Sequence, residues 1–493
     1  MKRDYKRYFK NLLLIFLIAM SFFLVFRLWS VGNYFGTGFK DTFESLFDVI
    51  RDPVVSLFGN DKDDSSSKDL KFILSPKRIV ANFSDKRSVM NNDDADFLSF
   101  YEETIEIMKK IEAGEISIKS VENVSEDDYY AALKGKSVLI DFDSKYDYNL
   151  FGVVTGVSGE SKLMKNSAVV REFIISMPEN VLDYTMLYIK DYSDETVYKF
   201  LLEMNKTDME ELLRKRLSED TLSGTYFYSY ELNFHVEQNA DGSPVKVVFE
   251  PLASVNLMPE AKTGVRAERY VAGSEEINEN ELLKKFNMNV RSAGKYTDID
   301  GSRNFIEKNA TLKISADGYI EYIATEAGKG VKISDISDDS FFDIGAATTV
   351  SSEFVTEIFE MLPKSEDDSI RITGDLTEGT SDGKYRICYD YYIGGLPIFQ
   401  LDKNSGLITN SVVLEIENGY ITYYKHYIRT YGYTEEETVR DTMLTAADAL
   451  VSKMTSGEQM RINKAYECFI DSGEGTPEAD WVFEIAGLGG LYR

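Results

Sequence analysis

LKISADGYIEY (Leu312–Tyr322) and LEIENGYITY (Leu414–Tyr423) share the pattern that decides how the rest of the chain is read. Each runs Leu-x-Ile, reverses at Asp317-Gly318 or Asn418-Gly419, and returns as Tyr-Ile-x-Tyr. Apolar residues at every second position make a half-buried strand. A Gly-led reversal gives the backbone access to positive φ, which a tight hairpin needs. Helical periodicity precedes each hairpin, near Asn278–Phe286 and over Ser352–Leu362. The spacing predicts two related units, each a helix followed by a meander.

Working outward, the first unit belongs to a domain over residues 219–335. It opens with Tyr226, Tyr228, Tyr230, Leu232 and Phe234 at period two, a strand expected to turn at Asp241-Gly242 and return over Val245–Phe249. The helix at Asn278–Phe286 turns Leu282, Leu283 and Phe286 inward, and YTDIDGSR (Tyr296–Arg303) follows it. The second unit belongs to a domain over 336–493. Pro363 stops its first helix, and strand Tyr385–Tyr392 runs into Gly394-Gly395-Leu396-Pro397-Ile398-Phe399. A capping box of Thr434 with Glu437 predicts a helix over Thr434–Met454, and AYECFI and DWVFEIAG read as final strands.

Upstream, residues 70–218 form a first domain. LKFILSPKRIVANF is a strand, a proline break and a strand. A helix over Asp94–Ala113 carries the stripe Phe97, Phe100, Tyr101, Met108 and Ile111 and ends at Gly114. Strands are expected at Ser137–Phe142, Val169–Ser176 and Thr185–Lys190, and a capped helix from Thr207 with Glu210 to about Leu217. The fold class is α+β, three domains in series.

The N-terminus sets the topology. LLLIFLIAMSFFLVF (Leu12–Phe26) has one serine and no charge. With the Trp29 end it reaches about twenty residues, enough at about 1.5 Å per residue to cross a bilayer core. Lys2, Arg3, Lys6, Arg7 and Lys10 against Asp4 keep residues 1–10 in the cytoplasm. We therefore expect a single membrane helix over 11–31 and an extracellular bulk. The rival, a cleaved signal peptide, lacks an Ala-x-Ala-like site; Ser30-Val31-Gly32 is the nearest triplet and Trp29 abuts it. On the helix, Ile15, Ala19, Phe22 and Phe26 share a face on which Ala19 allows close approach to another helix. Residues 32–69 are a juxtamembrane segment, with Phe43, Phe47 and Ile50 at helical spacing, and the polar linker DKDDSSSKD (Asp61–Asp69).

Net charge is −28, and the first ten residues contribute +4, which leaves −32 on the remainder. Such an ectodomain excludes nucleic acid and anionic membrane surfaces as partners. The two cysteines, Cys388 and Cys468, sit in strand-like apolar sequence and read equally as one bridge or as two buried thiols. Catalytic signatures are missing. His235 and His426 each lie in an aromatic strand, and no His-Glu-x-x-His occurs. Gly328-Lys329-Gly330 lacks the remainder of a phosphate loop, and Ser65-Ser66-Ser67-Lys68 falls in the linker. Asp298, Asp300 and Gly301 form only part of a calcium loop. No cofactor and no metal are expected, and the chain reads as a non-enzyme.

The sequence resembles the YycH family of membrane-anchored two-component regulators. The resemblance rests on the basic start and single membrane helix, Ser75-Pro76-Lys77-Arg78-Ile79, and a central stretch. That stretch runs Leu282-Leu283-Lys284-Lys285-Phe286, Tyr296-Thr297-Asp298-Ile299-Asp300-Gly301-Ser302-Arg303, Leu312-x-Ile314 and Gly318-Tyr319-Ile320-Glu321-Tyr322. Gly395-Leu396-Pro397-Ile398-Phe399 is similar to a strand shared with the related YycI proteins. Ile299-Asp300 departs from the pattern, which more often runs from Tyr-x-Asp straight into Gly. The resemblance implies three extracellular α+β domains and a role in modulating a sensor histidine kinase that governs cell-wall metabolism. The implied partners are that kinase, through membrane helices, and a YycI-like paralogue. The alternative from the residues alone is an anchored cell-wall glycan-binding or adhesion protein. Its sugar platform would be Tyr226, Tyr228 and Tyr230, or Tyr420, Tyr423 and Tyr424.

Overall fold

The computed structural model describes residues 76–493 except 84–85, 92–96, 149, 152–160, 165–167, 178–183, 205–225, 239–244, 257–260, 270–276, 327–328, 334–343, 366–368, 377–383, 403–404, 440, 454–458, 474 and 489. They belong to one compact unit that starts at Ser65. The expected membrane helix with Ile15, Ala19, Phe22 and Phe26, the basic residues Lys2 to Lys10, the juxtamembrane segment, the Thr207 helix and the Asp241-Gly242 turn lie outside the described residues. Among the described residues no helix is long and apolar enough to cross a membrane.

The chain first builds a seven-stranded antiparallel sheet with two helices. In chain order these are β1 (Arg78–Phe83), β2 (Lys86–Asn91), α1 (Phe97–Ala113), β3 (Ile118–Val124), α2 (Glu126–Ala132), β4 (Lys136–Asp147), β5 (Val169–Met177), β6 (Thr185–Asp191) and β7 (Thr196–Leu202). The sheet order is β2-β1-β4-β5-β6-β7-β3. Both faces are covered, so β1 is buried along almost its whole length. Ile79, Ala81, Val138, Ile140, Phe173 and Ile175 turn toward the α1 stripe of Phe97, Phe100, Tyr101, Met108 and Ile111. The alternate residues Val80, Leu139, Ile174 and Tyr188 pack on Tyr129, Ala132, Tyr228 and Tyr230. Gly114, at φ 82°, ends α1. Ser125 caps α2 by accepting the Asp128 N–H at 3.2 Å.

Next come β8 (Tyr226–Tyr228), β9 (Val247–Phe249), β10 (Ser254–Asn256) and β11 (Ala261–Arg269). The strand expected over Tyr226–Phe234 stops at Tyr228. A 3₁₀ turn follows over Ser229–Leu232, and Asn233, at φ 58°, turns the chain. The expected hairpin partner is also replaced: β8 pairs with β10, while β9 runs parallel to a strand near the C-terminus. Tyr228 and Tyr230 stack at 5.7 Å on the first sheet, and this burial outweighs strand continuation.

The two hairpins sit in equivalent places. The first unit is α3 (Glu279–Lys285), β12 (Gly294–Thr297), β13 (Arg303–Glu307), β14 (Ala310–Ile314) and β15 (Tyr319–Ala324), followed by β16 (Val331–Lys332). The second is α4 (Ile344–Met361), β17 (Ser369–Thr373), β18 (Lys384–Ile393), an insertion of β19 (Leu396–Leu401) and β20 (Ile408–Thr409), then β21 (Val412–Glu417) and β22 (Tyr420–Tyr427). Strand order runs β12-β13-β14-β15-β22-β21-β18, with β17 beyond β18. Two four-stranded meanders thus meet return strand to return strand, about a local two-fold between Tyr322 and its pairing partner Tyr424. The sequence repeat aligns Tyr322 with Tyr423. The structure corrects this: Leu312 faces Tyr322 and Leu414 faces Tyr424, because Thr422 is an extra residue bulged from β22. Phe286 stacks on Tyr322 at 4.8 Å, and Phe354 of α4 meets Tyr424 edge-on at 5.6 Å. These four rings form one buried cluster, since Phe286 also touches Phe354 and Tyr424.

The C-terminal part is β23 (Arg429–Val439), α5 (Met443–Lys453), β24 (Met460–Asp471), β25 (Glu478–Ile485) and β26 (Leu491–Tyr492). The helix expected over Thr434–Met454 is half strand. TYGYTEEETV extends β23 along β11, and the true cap is Thr442, which accepts the Thr445 N–H at 3.3 Å. Tyr431, Tyr433 and the threonines suit a ladder, and the partner strand overrides the Thr434 capping box. Pairings β19-β20-β26-β25-β24-β19 close a ring around Phe399, Tyr466, Cys468, Ile470 and Val482. Cys388 and Cys468 are both free thiols. Strands on either side of residue 335 belong to a single fifteen-stranded sheet.

Candidate functional site

The candidate reactive groups are held in structural roles. His426 is fully buried, its Nε2 2.9 Å from Tyr391 Oη and its Nδ1 2.8 Å from Tyr424 Oη. Tyr391 gives its only proton to the Tyr427 carbonyl at 2.9 Å. Nε2–H must therefore donate to Tyr391, and Nδ1 must accept from Tyr424. This imidazole is neutral and saturated, and burial pushes its pKa down to about 3. His235 follows the 3₁₀ turn, and among the described residues no group of three His, Cys, Asp or Glu side chains is placed to hold a metal. Asp298 and Asp300 form a turn. Asp300 accepts the Ser302 N–H and hydroxyl, both at 2.9 Å, and these bonds lower its pKa.

The densest chemistry joins the first sheet to residues 226–256, and the sequence reading passed over it. Arg78 of β1 donates Nε to Asp141 at 2.8 Å, Nη2 to the Leu252 carbonyl at 2.7 Å, and Nη1 to the Tyr226 hydroxyl. Arg87 of β2 grips Glu231 with two bonds, 2.7 and 2.5 Å, and lies 4.6 Å from the Tyr228 ring. Arg171 of β5 lies 3.5 Å from Asp141 and 3.2 Å from Glu250. Glu172 accepts the hydroxyls of Tyr129 at 2.8 Å and Tyr192 at 2.5 Å. Burial raises the Glu172 pKa, with Arg171 opposing. Arg78, Asp141, Arg171 and Glu172 are all buried. Their signal in sequence was a charge inside an apolar strand: SVLIDF and VVREFIIS.

A second contact ties β4 to the loop after β17. Lys145 N–H donates to Asp375 at 2.8 Å, Leu376 N–H to the Lys145 carbonyl at 2.6 Å, and Asp147 N–H to the Leu376 carbonyl at 3.0 Å. Lys464 reaches Asp375 at 2.5 Å. Burial alone would raise the Asp375 pKa, but Lys464 and the Lys145 N–H hold it below the usual carboxylate range. This joint can hold the first sheet in one defined pose; it has no geometry for bond making.

The tyrosine rows proposed for sugar stacking are largely unavailable. Tyr228, Tyr230 and Tyr424 are buried, and Tyr226, Tyr420 and Tyr423 are half-buried. The membrane-helix face and the basic residues lie outside the described residues.

No protein-family model matches the chain, and no curated protein matches it by sequence. Solved structures do match. YycH from Bacillus subtilis is 11% identical, and the match covers 85% of this chain and 95% of that chain at a TM-score of 0.50. A likeness at that identity shows the fold alone: the chain is a strand-rich α+β protein with a YycH-like fold.

Proposed function

We propose that this protein is a non-catalytic regulator of a membrane sensor histidine kinase, in a two-component system controlling cell-wall metabolism. It sits in the cell membrane through Leu12–Phe26, with residues 1–10 cytoplasmic and the bulk outside. The face Ile15, Ala19, Phe22 and Phe26 packs on the kinase's membrane helices. The state of the ectodomain biases that packing and so shifts the kinase between signalling states, which requires different contacts in each state. The observation that carries the reading is the YycH-like fold over 85% of the chain. It is supported by the way the polar clusters are consumed in joints, with His426 and the charges at Arg78 saturated by neighbours.

The test is co-purification of the kinase from detergent-solubilised membranes. It compares the full chain, residues 1–60 alone, and the full chain with Leu12–Phe26 replaced by an unrelated membrane helix. Recovery with the first two and loss with the third is expected. Recovery by the helix-swapped chain moves the contact to the ectodomain, and failure of all three removes the reading.

A further inference from the structure

Asp390 on β18 is a fully buried carboxylate, and among the described residues no cation forms an ion pair with it. Neutral donors meet its charge instead. The Thr373 hydroxyl and the Asn410 amide, the latter at 2.7 Å, donate to Oδ2, and the Ser411 N–H donates to Oδ1 at 2.6 Å. The Asn410 amide also donates to Thr373 Oγ1 at 3.1 Å. Charged and titratable side chains stand around this cluster. Arg371 is the cross-strand partner on β17, with its guanidinium carbon 5.0 Å from the Tyr392 ring centroid. Cys388 and Tyr392 share the Asp390 face of β18. Lys425 of β22 lies 4.7 Å from the Tyr427 ring centroid. Beyond Gln400 of β19, which donates to Ser411 Oγ, Arg429 holds Asp471 at 3.0 Å.

Two opposing forces act on the Asp390 carboxyl. Burial without a counter-charge favours the protonated form, and the three donors favour the ionised one. The balance pushes its pKa up to about 7, so neutral and mildly acidic solutions hold it in different states. Those states cannot keep the same hydrogen bonds. With the carboxyl ionised, the Thr373, Asn410 and Ser411 donors all have an acceptor. Of these three partners only the Thr373 hydroxyl can accept a proton in return. An added proton therefore turns to Thr373 Oγ1, and the Thr373 hydroxyl gives up its own bond to Oδ2. Among the described residues that hydroxyl donates to no other acceptor. Proton uptake thus leaves one buried donor without a partner.

Thr373 is a mechanically sensitive place for that loss. It ends β17, and Gly374, at φ 89°, turns the chain into Asp375 and Leu376. These two residues hold β4 through the Lys145 and Asp147 backbone, and Asp375 also holds Lys464. Asp375 stays ionised in mild acid, since Lys464 and the Lys145 N–H keep its carboxyl below the usual range. Gly374 alone separates a cluster that responds to protons from a joint that does not titrate with it.

We propose that Asp390 is a proton-operated latch: protonation draws Thr373 out of its hydrogen bond and loosens the hold of Asp375 and Leu376 on the first sheet. Such a latch goes beyond kinase regulation and stands whether or not a kinase is the partner. Hydrogen–deuterium exchange of the full chain in detergent, read by mass spectrometry at pH 8 and pH 5 and corrected for intrinsic exchange rates, tests it. Peptides carrying the Lys145, Asp147 and Leu376 amides should exchange about tenfold or more faster at the lower pH, the effect of one buried donor left unpaired. Peptides from β24 and β25 should not speed up. Asp390→Asn should abolish the pH dependence. Thr373→Val, which removes the hydroxyl and keeps the carboxyl, should abolish it as well, and it decides the matter should the asparagine perturb folding. Equal wild-type exchange at the two pH values overturns the latch. A pH dependence that survives in either variant also overturns it and moves the titrating group elsewhere, with Glu172 of the other joint next to be tested.

Discussion

Arg78→Ala tests the joint that holds the first sheet to residues 226–256. The substitution removes the nearest cation from Asp141, which is 1% exposed, and leaves Arg171 at the longer distance of 3.5 Å. It also strips a donor from the Leu252 carbonyl and from the Tyr226 hydroxyl. Removing one partner of a buried pair costs about 3–5 kcal/mol, because the other charge stays buried without compensation. The arginine's packing adds to this. We expect a loss of about 4 kcal/mol in urea unfolding of the full chain in detergent. Lys119→Ala is the reference: its bridge to Glu203 is about half exposed, so its loss should be far smaller than that of Arg78. Asp141→Asn alone should also destabilise, and the double variant Arg78→Ala with Asp141→Asn should cost at least about 1 kcal/mol less than the sum of the two singles. An Arg78→Ala loss below about 1 kcal/mol, or strict additivity in the double variant, would refute the view that these charges act as one unit.

Asp390 is buried, and burial pushes its carboxyl up to about 7, although Thr373, Asn410 and the Ser411 N–H donate to it. A raised acid binds its proton more tightly in the folded state, so its stabilisation is full below the ordinary carboxylate pKa and is lost as pH rises from about 4 to 7. Relative to Asp390→Asn, the wild type should gain about 2–4 kcal/mol between pH 7.5 and pH 4 in unfolding titrations, and a constant difference would contradict this. Gly330→Ala should cost about 1–3 kcal/mol, because an added Cβ would sit on the Ile421 carbonyl where β16 meets β22; thermal melts decide it. Burial raises the Cys388 thiol to about 11, and Cys468 is completely buried. Cys468 should not react with an aromatic disulfide reagent at pH 8 until denaturant is added, while the half-buried Cys388 should react only slowly; prompt labelling of both thiols in the native chain would count against the packing described.

What the sequence displayed best was local chemistry. The Asp-Gly and Asn-Gly reversals, the α1 stripe and the inward face of α3 depend on neighbours within a few residues, and they lie where the periodicity placed them. β3 was missed because it is an edge strand with both faces largely exposed, so IKSVENV has no clean alternation. α2 follows Ser125 but has only seven residues, too few for a stripe. The Thr434 capping box misled because β11, more than 160 residues upstream, supplies a ladder partner that local sequence does not reveal. The repeat was visible, but the bulge at Thr422 shifted its second tyrosine by one place. Nothing local identifies the joint: Arg78 is 63 residues from Asp141 and 174 from Leu252.

The ectodomain's parts are joined in two physically different ways. From β12 to β9 the backbone ladder is continuous, so the two paired meanders cannot turn on each other without breaking strand pairings. The first sheet is a separate ladder. Buried apolar contacts and the charges at Arg78, Arg87 and Arg171 tie it on, together with the three backbone donors at Lys145, Asp147 and Leu376. Apolar contact is tolerant of small slides, but buried ion pairs are not, since each misplaced charge loses a partner and regains no water. Such a joint has no gradual range of motion. Either the whole set is made, or the sheet separates far enough for water to solvate every member. Under the proposed function, a load or ligand on the ectodomain acts on the kinase either by moving this body as a unit or by releasing this joint. Arg78→Ala separates the two routes: it should leave the kinase's response unchanged in the first case and mimic the released state in the second.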